Sequence, residues 1–426
     1  MVHRKTILFS FLVIPLILAA GQPYLYPQAP SSAEDAYLGS VIPVSERDSE
    51  EFSPAIAYNP NHNEYLVVWE NEWPGGHHDI YAQRVSASGQ LLSWFAVSVN
   101  SNSQMTPSVA YDPLNDRYLV VWVYDVWGNG SDWDVYGRVI PWNGPDANLT
   151  DFMICNWNSN QAHPVVVYAR APEEFLVVWM NSTSGVPTYL SGRRVFAATS
   201  GFPPGDGFTI SSGPENRDFP DVAYNLARNE YLVTWDITMS GTGLDIYGVR
   251  LRGDGVPLGS GEFPIAGWPA NEEHPSVAAC HLSDQYLVAW QSDQDTGGAD
   301  YAIYARYLNG DGVPGNVYEI DDTTSPETEA DISCNAAGCE YLLAWQSRYT
   351  NLKFGIWARV AHSDESMNPQ FAIMPPGSVE DREYPAVAGG GSTYLVAWEH
   401  QRTGGTNRDI HARLLRYAVF LPMLKK

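Results

Sequence analysis

One pentapeptide recurs seven times along the chain and leaves few folds open. It reads Tyr65-Leu-Val-Val-Trp69, Tyr118-Leu-Val-Val-Trp122, Phe175-Leu-Val-Val-Trp179, Tyr231-Leu-Val-Thr-Trp235, Tyr286-Leu-Val-Ala-Trp290, Tyr341-Leu-Leu-Ala-Trp345 and Tyr394-Leu-Val-Ala-Trp398. Successive tryptophans lie 53 to 57 residues apart. The pentapeptide is apolar without alternation, so both of its faces need cover, unlike a strand of a sheet with one wet face. A short strand precedes most copies, as in Pro54-Ala-Ile-Ala-Tyr58 and Pro220-Asp-Val-Ala-Tyr224. A polar loop and a third strand follow, as in Asp79-Ile-Tyr81 and Asp245-Ile-Tyr247. A Gly-rich turn and a short fourth strand, such as Phe208-Thr-Ile210, close the unit. Helical spacing of apolar residues is absent.

Four strands per unit, repeated seven times, predict an all-β fold: a seven-bladed β-propeller with four antiparallel strands per blade. The first strand carries Ala57, Ala110, Ala223, Ala278 and Ala388, small residues that suit the crowded innermost position. The last unit lacks a fourth strand, whereas an orphan strand, Gly39 to Ser45, precedes the first. It resembles the fourth strands and is expected to complete the seventh blade, removing an open sheet edge. The repeats resemble those of uncharacterised secreted bacterial seven-bladed β-propellers built on Pro-x-Val-Ala-Tyr, Tyr-Leu-Val-Val-Trp and Asp-Ile-Tyr motifs. The resemblance covers residues 39–416, implies the architecture and implies no single activity.

Outside the ring, His3, Arg4 and Lys5 precede an apolar run from Ile7 to Ala20 with a small-residue exit. This is the pattern of a secretory signal peptide and is too short for a bilayer span. The expected organisation is a signal peptide at 1–21, a linker at 22–38, the propeller at 39–416 and a tail at 417–426. The expected location is secreted or cell-surface, with no transmembrane span after cleavage. The chain is 44% hydrophobic, which excludes a wholly disordered protein. Acidic residues outnumber basic ones 49 to 24, for a net charge of −25, which argues against nucleic acid as a partner.

An Arg follows each third strand, three positions after the Ile or Val in some units and four in others. These positions face opposite ways on a strand, so they share no common partner that the sequence reveals, and a bulge would reconcile them. What recurs is read as fold, and a site is expected to break the symmetry. The loops between second and third strands vary most and supply the candidate ligand-binding residues: Glu70, Trp73, His77, Asp125, Trp127, Trp133, Asp236, Asp293, Arg348, Glu399 and His400. Aromatic faces beside carboxylates suit sugars, and Trp, Tyr and Arg also suit protein partners. The expected function is an extracellular binding module for carbohydrate or protein. The alternatives are a glycosidase using a pair of rim carboxylates and a structural surface component. No Gly-x-Ser-x-Gly or His-Glu-x-x-His motif is present.

No cofactor or metal is expected. Asp293, Asp295 and Asp300 with Gly297 and Gly298 offer an acidic loop suited to Ca²⁺, but without the alternating ligands and terminal Glu of a dedicated site. Gly253-Asp-Gly255 and Gly310-Asp-Gly312 read as hairpin turns. Cys334 and Cys339 flank a short hairpin that allows a disulfide; two unlinked thiols are the competing reading. Cys155 and Cys280 are expected to be separate buried thiols.

Overall fold

A computed structural model describes residues 38–203, 207–294, 300–321, 325–335, 338–348, 353–375, 380–402 and 407–416. The expected signal peptide and tail, nearly all of the linker, Asp295, Gly297 and Gly298 lie outside the described residues. Among the described residues, twenty-eight strands form seven four-stranded antiparallel sheets, the blades of a ring. Blade 1 comprises β2 (Glu50–Asn59), β3 (Glu64–Trp73), β4 (His77–Ser86) and β5 (Leu91–Ser98) in sequential order. Blade 7 joins β26 (Arg382–Gly389), β27 (Thr393–Gln401) and β28 (Arg408–Arg416) to the N-terminal strand β1 (Leu38–Ser45). The orphan strand therefore seals the ring, with Val41 opposite Arg413 and Ile42 opposite Ala412.

The second strand is apolar on both faces because it serves two cores at once. Tyr65, Val67 and Trp69 pack with Ala388, Leu395 and Ala397 of blade 7. Leu66 and Val68, between them in sequence, pack with Tyr118, Val120 and Trp122 of blade 2. Each blade interface is such a layer, and all seven repeat tryptophans are buried within them.

The third-strand arginines form two sets with different partners, and no bulge is needed, since β3–β4 pairs without a register break. Arg84, Arg194 and Arg250 face the following blade and pair with Glu64, Glu174 and Glu230 of their own second strand; Arg84 also lies over Trp142 and Arg250 also donates to the Asp311 carbonyl of the next blade. Arg138, Arg193, Arg306, Arg359 and Arg413 face the preceding blade. They donate to the backbone carbonyls of Val97, Ile154, Ile265, Ile320 and Ile373, each on that blade's fourth strand or just beyond it. The second set clamps blade to blade, and blade 3 carries one arginine of each kind.

The cysteine pairing differs from expectation. Cys280, at the end of β18 (Glu272–Cys280) in blade 5, is joined to Cys339, at the hairpin entering β23 (Glu340–Arg348) of blade 6. Their Cα atoms are 5.4 Å apart and their sequence separation is 59. Residues about one repeat apart lie side by side across a blade interface, so a distant cysteine outcompetes the one across the hairpin. Cys334 remains a thiol, as does the buried Cys155. Burial pushes the Cys334 thiol up to about 12.

Candidate functional site

The innermost strand of every blade breaks register at the same place. In blade 1 the break falls between Phe52 and Ala55, and in blade 5 between Glu273 and Ser276. The residue at each break adopts a left-handed backbone: Ser53, Thr106, His163, Phe219, His274, Glu329 and Tyr384, with φ between 46° and 53°. Non-glycine residues pay for this conformation, roughly 1–3 kcal/mol each, so the surroundings must impose it. In five of seven junctions the side chain just after the repeat Trp of the preceding blade accepts that residue's N–H. Glu399 takes Ser53, Glu70 takes Thr106, Asp236 takes His274, Gln291 takes Glu329 and Gln346 takes Tyr384, at 2.8–3.4 Å. Phe219 N–H donates to Asp218 instead, because Met180 occupies the acceptor position.

The seven side chains ring the mouth of an axial cavity of about 570 Å³, on the face where the second-to-third-strand loops emerge. One step deeper stand Ala55, Ser108, Val165, Asp221, Ser276, Asp331 and Ala386, most of which line the same cavity. Several stitch adjacent blades. Asp221 accepts the N–H of Val277, Ser276 that of Ile332, and Asp331 that of Val387. The deeper ring is structural, whereas the mouth ring is chemically uneven.

Blades 1 and 2 contribute small residues, Ser53 and Thr106, and blades 3 to 7 the large ones. Phe219 lies between two imidazoles, with ring centroids 4.4 Å from His163 and 3.9 Å from His274. His274 Nδ1 is 3.1 Å from Glu329 Oε1, and His163 Nε2 is 3.7 Å from Asp218 Oδ1. A neighbouring cavity of about 340 Å³ shares Phe219 and His274 and adds Asp218, Asp236 and Glu273. Burial works against a charged His274, but the hydrogen bond it donates to Glu329 and the nearby carboxylates hold its pKa above the ordinary value. Burial lowers His163, against the pull of Asp218 and reinforced by His274. Burial, with Asp218 adding to it, raises Asp236 to about 7.

The residues singled out in the sequence lie elsewhere or do other work. Glu70, Asp236 and Glu399 are buried junction acceptors; Glu399 also binds Arg408 at 2.6 Å, and Glu70 binds His78 at 2.7 Å. Asp125 is buried and accepts the Gly130 N–H of its own loop. Asp293 accepts both the backbone and side-chain N–H of Asn271, closing a blade connection. Trp73 donates its indole N–H to Asp79, which also meets His77. Trp133 donates to the Gly130 carbonyl, while Trp127 is 69% exposed. None of the three tryptophans lines the axial cavity. Arg348 is half-buried at the end of its strand. His400 stacks on His411 at 4.1 Å, and burial drives its pKa down to about 4. Of the predicted set, only Asp236 borders the mouth. The mouth residues had a legible signal: six of the seven stand immediately before the first-strand Pro, a variable position within an otherwise regular motif.

No family model and no curated protein matches the chain. Solved structures do. The polysaccharide lyase Uly1 superposes with a TM-score of 0.56 at 9% identity, covering 90% of this chain and 100% of that one. The Penicillium chrysogenum α-L-arabinanase bound to arabinobiose gives 0.51 at 11% identity, covering 89% and 98%. A protein of unknown function from Dyadobacter fermentans gives 0.51 at 10% identity, covering 89% and 98%. At these identities the likeness is one of fold.

Proposed function

We propose that this propeller binds carbohydrate outside the cell, and that the sugar sits at the axial mouth rather than on the loop tryptophans. One observation carries the reading. A backbone conformation that repeats seven times presents a chemically uneven set of His163, Phe219, His274, Glu329 and Tyr384 to one cavity. Aromatic faces stack on the C–H faces of a pyranose, and carboxylates and imidazoles take its hydroxyls. Two of the fold neighbours are named for acting on polysaccharide or arabinan, which agrees with this reading. A glycan-panel binding assay tests it. Phe219→Ala and Tyr384→Ala are expected to abolish binding to any glycan the wild type retains, with Trp127→Ala unchanged. Binding lost in Trp127→Ala and kept in both mouth variants refutes it.

A second reading, cleavage of the bound glycan, is favoured by a specific pair. Asp218 and Asp236 lie opposite each other across β14 (Arg217–Asn225) and β15 (Glu230–Met239). Burial holds Asp236 toward the protonated form, the state that a proton donor to a glycosidic oxygen needs. Release of shorter saccharides by wild type but not by Asp236→Asn, with binding retained, is the expected result. No product from any bound glycan removes this second reading.

A further inference from the structure

The two cavities at the axial mouth share an unusual charge pattern. Among the described residues, their lining includes Asp218, Asp221, Asp236, Glu273, Glu329 and Asp331, and no Lys or Arg. Asp221 and Asp331 are committed to backbone N–H groups of the next blade. Asp218, Glu273 and Glu329 remain half-exposed at the entrance. The cationic groups nearby are committed elsewhere: Arg408 bridges Glu383 and Glu399, and Lys353 pairs with Asp381. Among the described lining residues, only the imidazoles of His163 and His274 can offset the acidic groups, and each already faces a carboxylate.

We infer that the mouth selects uncharged glycans and rejects uronate-bearing or sulfated ones, with Asp218 and Glu329 as the selectivity-determining residues. This rests on the carbohydrate reading above. A sugar carboxylate or sulfate needs convergent N–H donors, and Arg or Lys usually supplies them at such sites. This lining offers an excess of acceptors, which neutral hydroxyls satisfy as donors. Apolar cover comes from Phe219, Tyr384 and the proline floor of Pro54, Pro107, Pro164, Pro220, Pro275 and Pro385. The small Ser53 and Thr106 leave the side toward blades 1 and 2 as the place for a chain to pass. A fixed anion brought beside Asp218 and Glu329 meets like charge in a partly desolvated cleft, where repulsion is stronger than in bulk water. The protein's net charge of −25 repels a polyanion before it arrives.

Calorimetric titration of the purified protein with matched neutral oligosaccharides and oligouronides tests this, using galacto-oligosaccharides against oligogalacturonides and gluco-oligosaccharides against oligoglucuronides. Neutral members are expected to bind at least roughly tenfold more tightly than their acidic counterparts. Added salt should strengthen any acidic binding and leave neutral binding unchanged, the reverse of an interface held by ion pairs. Asp218→Asn and Glu329→Gln preserve shape and remove a negative charge, so each should narrow the ratio by improving the acidic ligand more than it changes the neutral one. Circular dichroism and urea unfolding confirm that each variant is folded. An oligouronide bound as tightly as its neutral partner, or weakened by salt, overturns this inference and leaves the carbohydrate reading standing. Binding of neither class overturns both.

Discussion

Replacing Asp236 by Asn separates charge from geometry at one blade junction. Asp236 accepts the N–H of His274 from a nearly inaccessible position, and its carboxyl is raised from 3.8 to about 7 by burial, with Asp218 adding to the effect. Between those two values the folded protein holds a proton that the unfolded chain has released. The folded state binds more protons there, so its stability falls as pH rises through that window. Three units at about 1.4 kcal/mol each set an upper bound of roughly 4 kcal/mol, of which about half falls above pH 5.5. Asn keeps the oxygen acceptor and cannot ionise. The chain uses this solution itself, with Gln291 and Gln346 at the equivalent positions of blades 5 and 6. Urea unfolding followed by tryptophan fluorescence should therefore show Asp236→Asn gaining on wild type by about 1–2 kcal/mol between pH 5.5 and pH 8.5. A gap that stays constant, or that closes toward alkaline pH, refutes the argument.

Other outcomes follow from the same structure. Glu51, Glu272, Asp331 and Glu399 are also raised by burial, to between about 7 and about 8, so wild-type unfolding free energy should decline from pH 6 to pH 8.5. Below pH 6 the buried His400, held neutral down to about 4, opposes this because the unfolded chain takes up that proton first. Cys339→Ser removes the tie between blades 5 and 6, and loop-closure entropy puts the loss at about 4 kcal/mol. Thermal melts with and without reductant measure it, and a variant melting with the oxidised wild type contradicts the assignment. Arg359→Ala strips two donors from the carbonyls of Ile320 and Asn368 and should cost roughly 2–3 kcal/mol in urea unfolding. A cost below 0.5 kcal/mol would show that water replaces the clamp.

The architecture was legible because it rests on repetition. Seven copies of an unalternating strand demand two buried faces, and the stray strand Gly39 to Ser45 had one vacant place to fill. The site was not legible from the same signals. Long loops drew attention to Trp127 and Trp133, yet the cavity is lined by residues of the innermost strands. The left-handed position has no residue type of its own, since Ser, Thr, His, Phe, Glu and Tyr all occupy it, and only its place before Pro in six of seven blades marks it. Glu70, Asp236 and Glu399 looked like free rim carboxylates. Gln291 and Gln346 at the same register show that the position is chosen for its acceptor oxygen. The cysteines followed a related rule, because 59 residues along the chain is one step around the ring.

A crystal structure of the protein grown with a neutral oligosaccharide tests the placement of function at the axis most directly. The sugar should lie over Phe219, between His163 and His274, with its hydroxyls on Glu329 or Asp218. Density for sugar on the loops around Trp127 and Trp133, with none at the axial mouth, would contradict it.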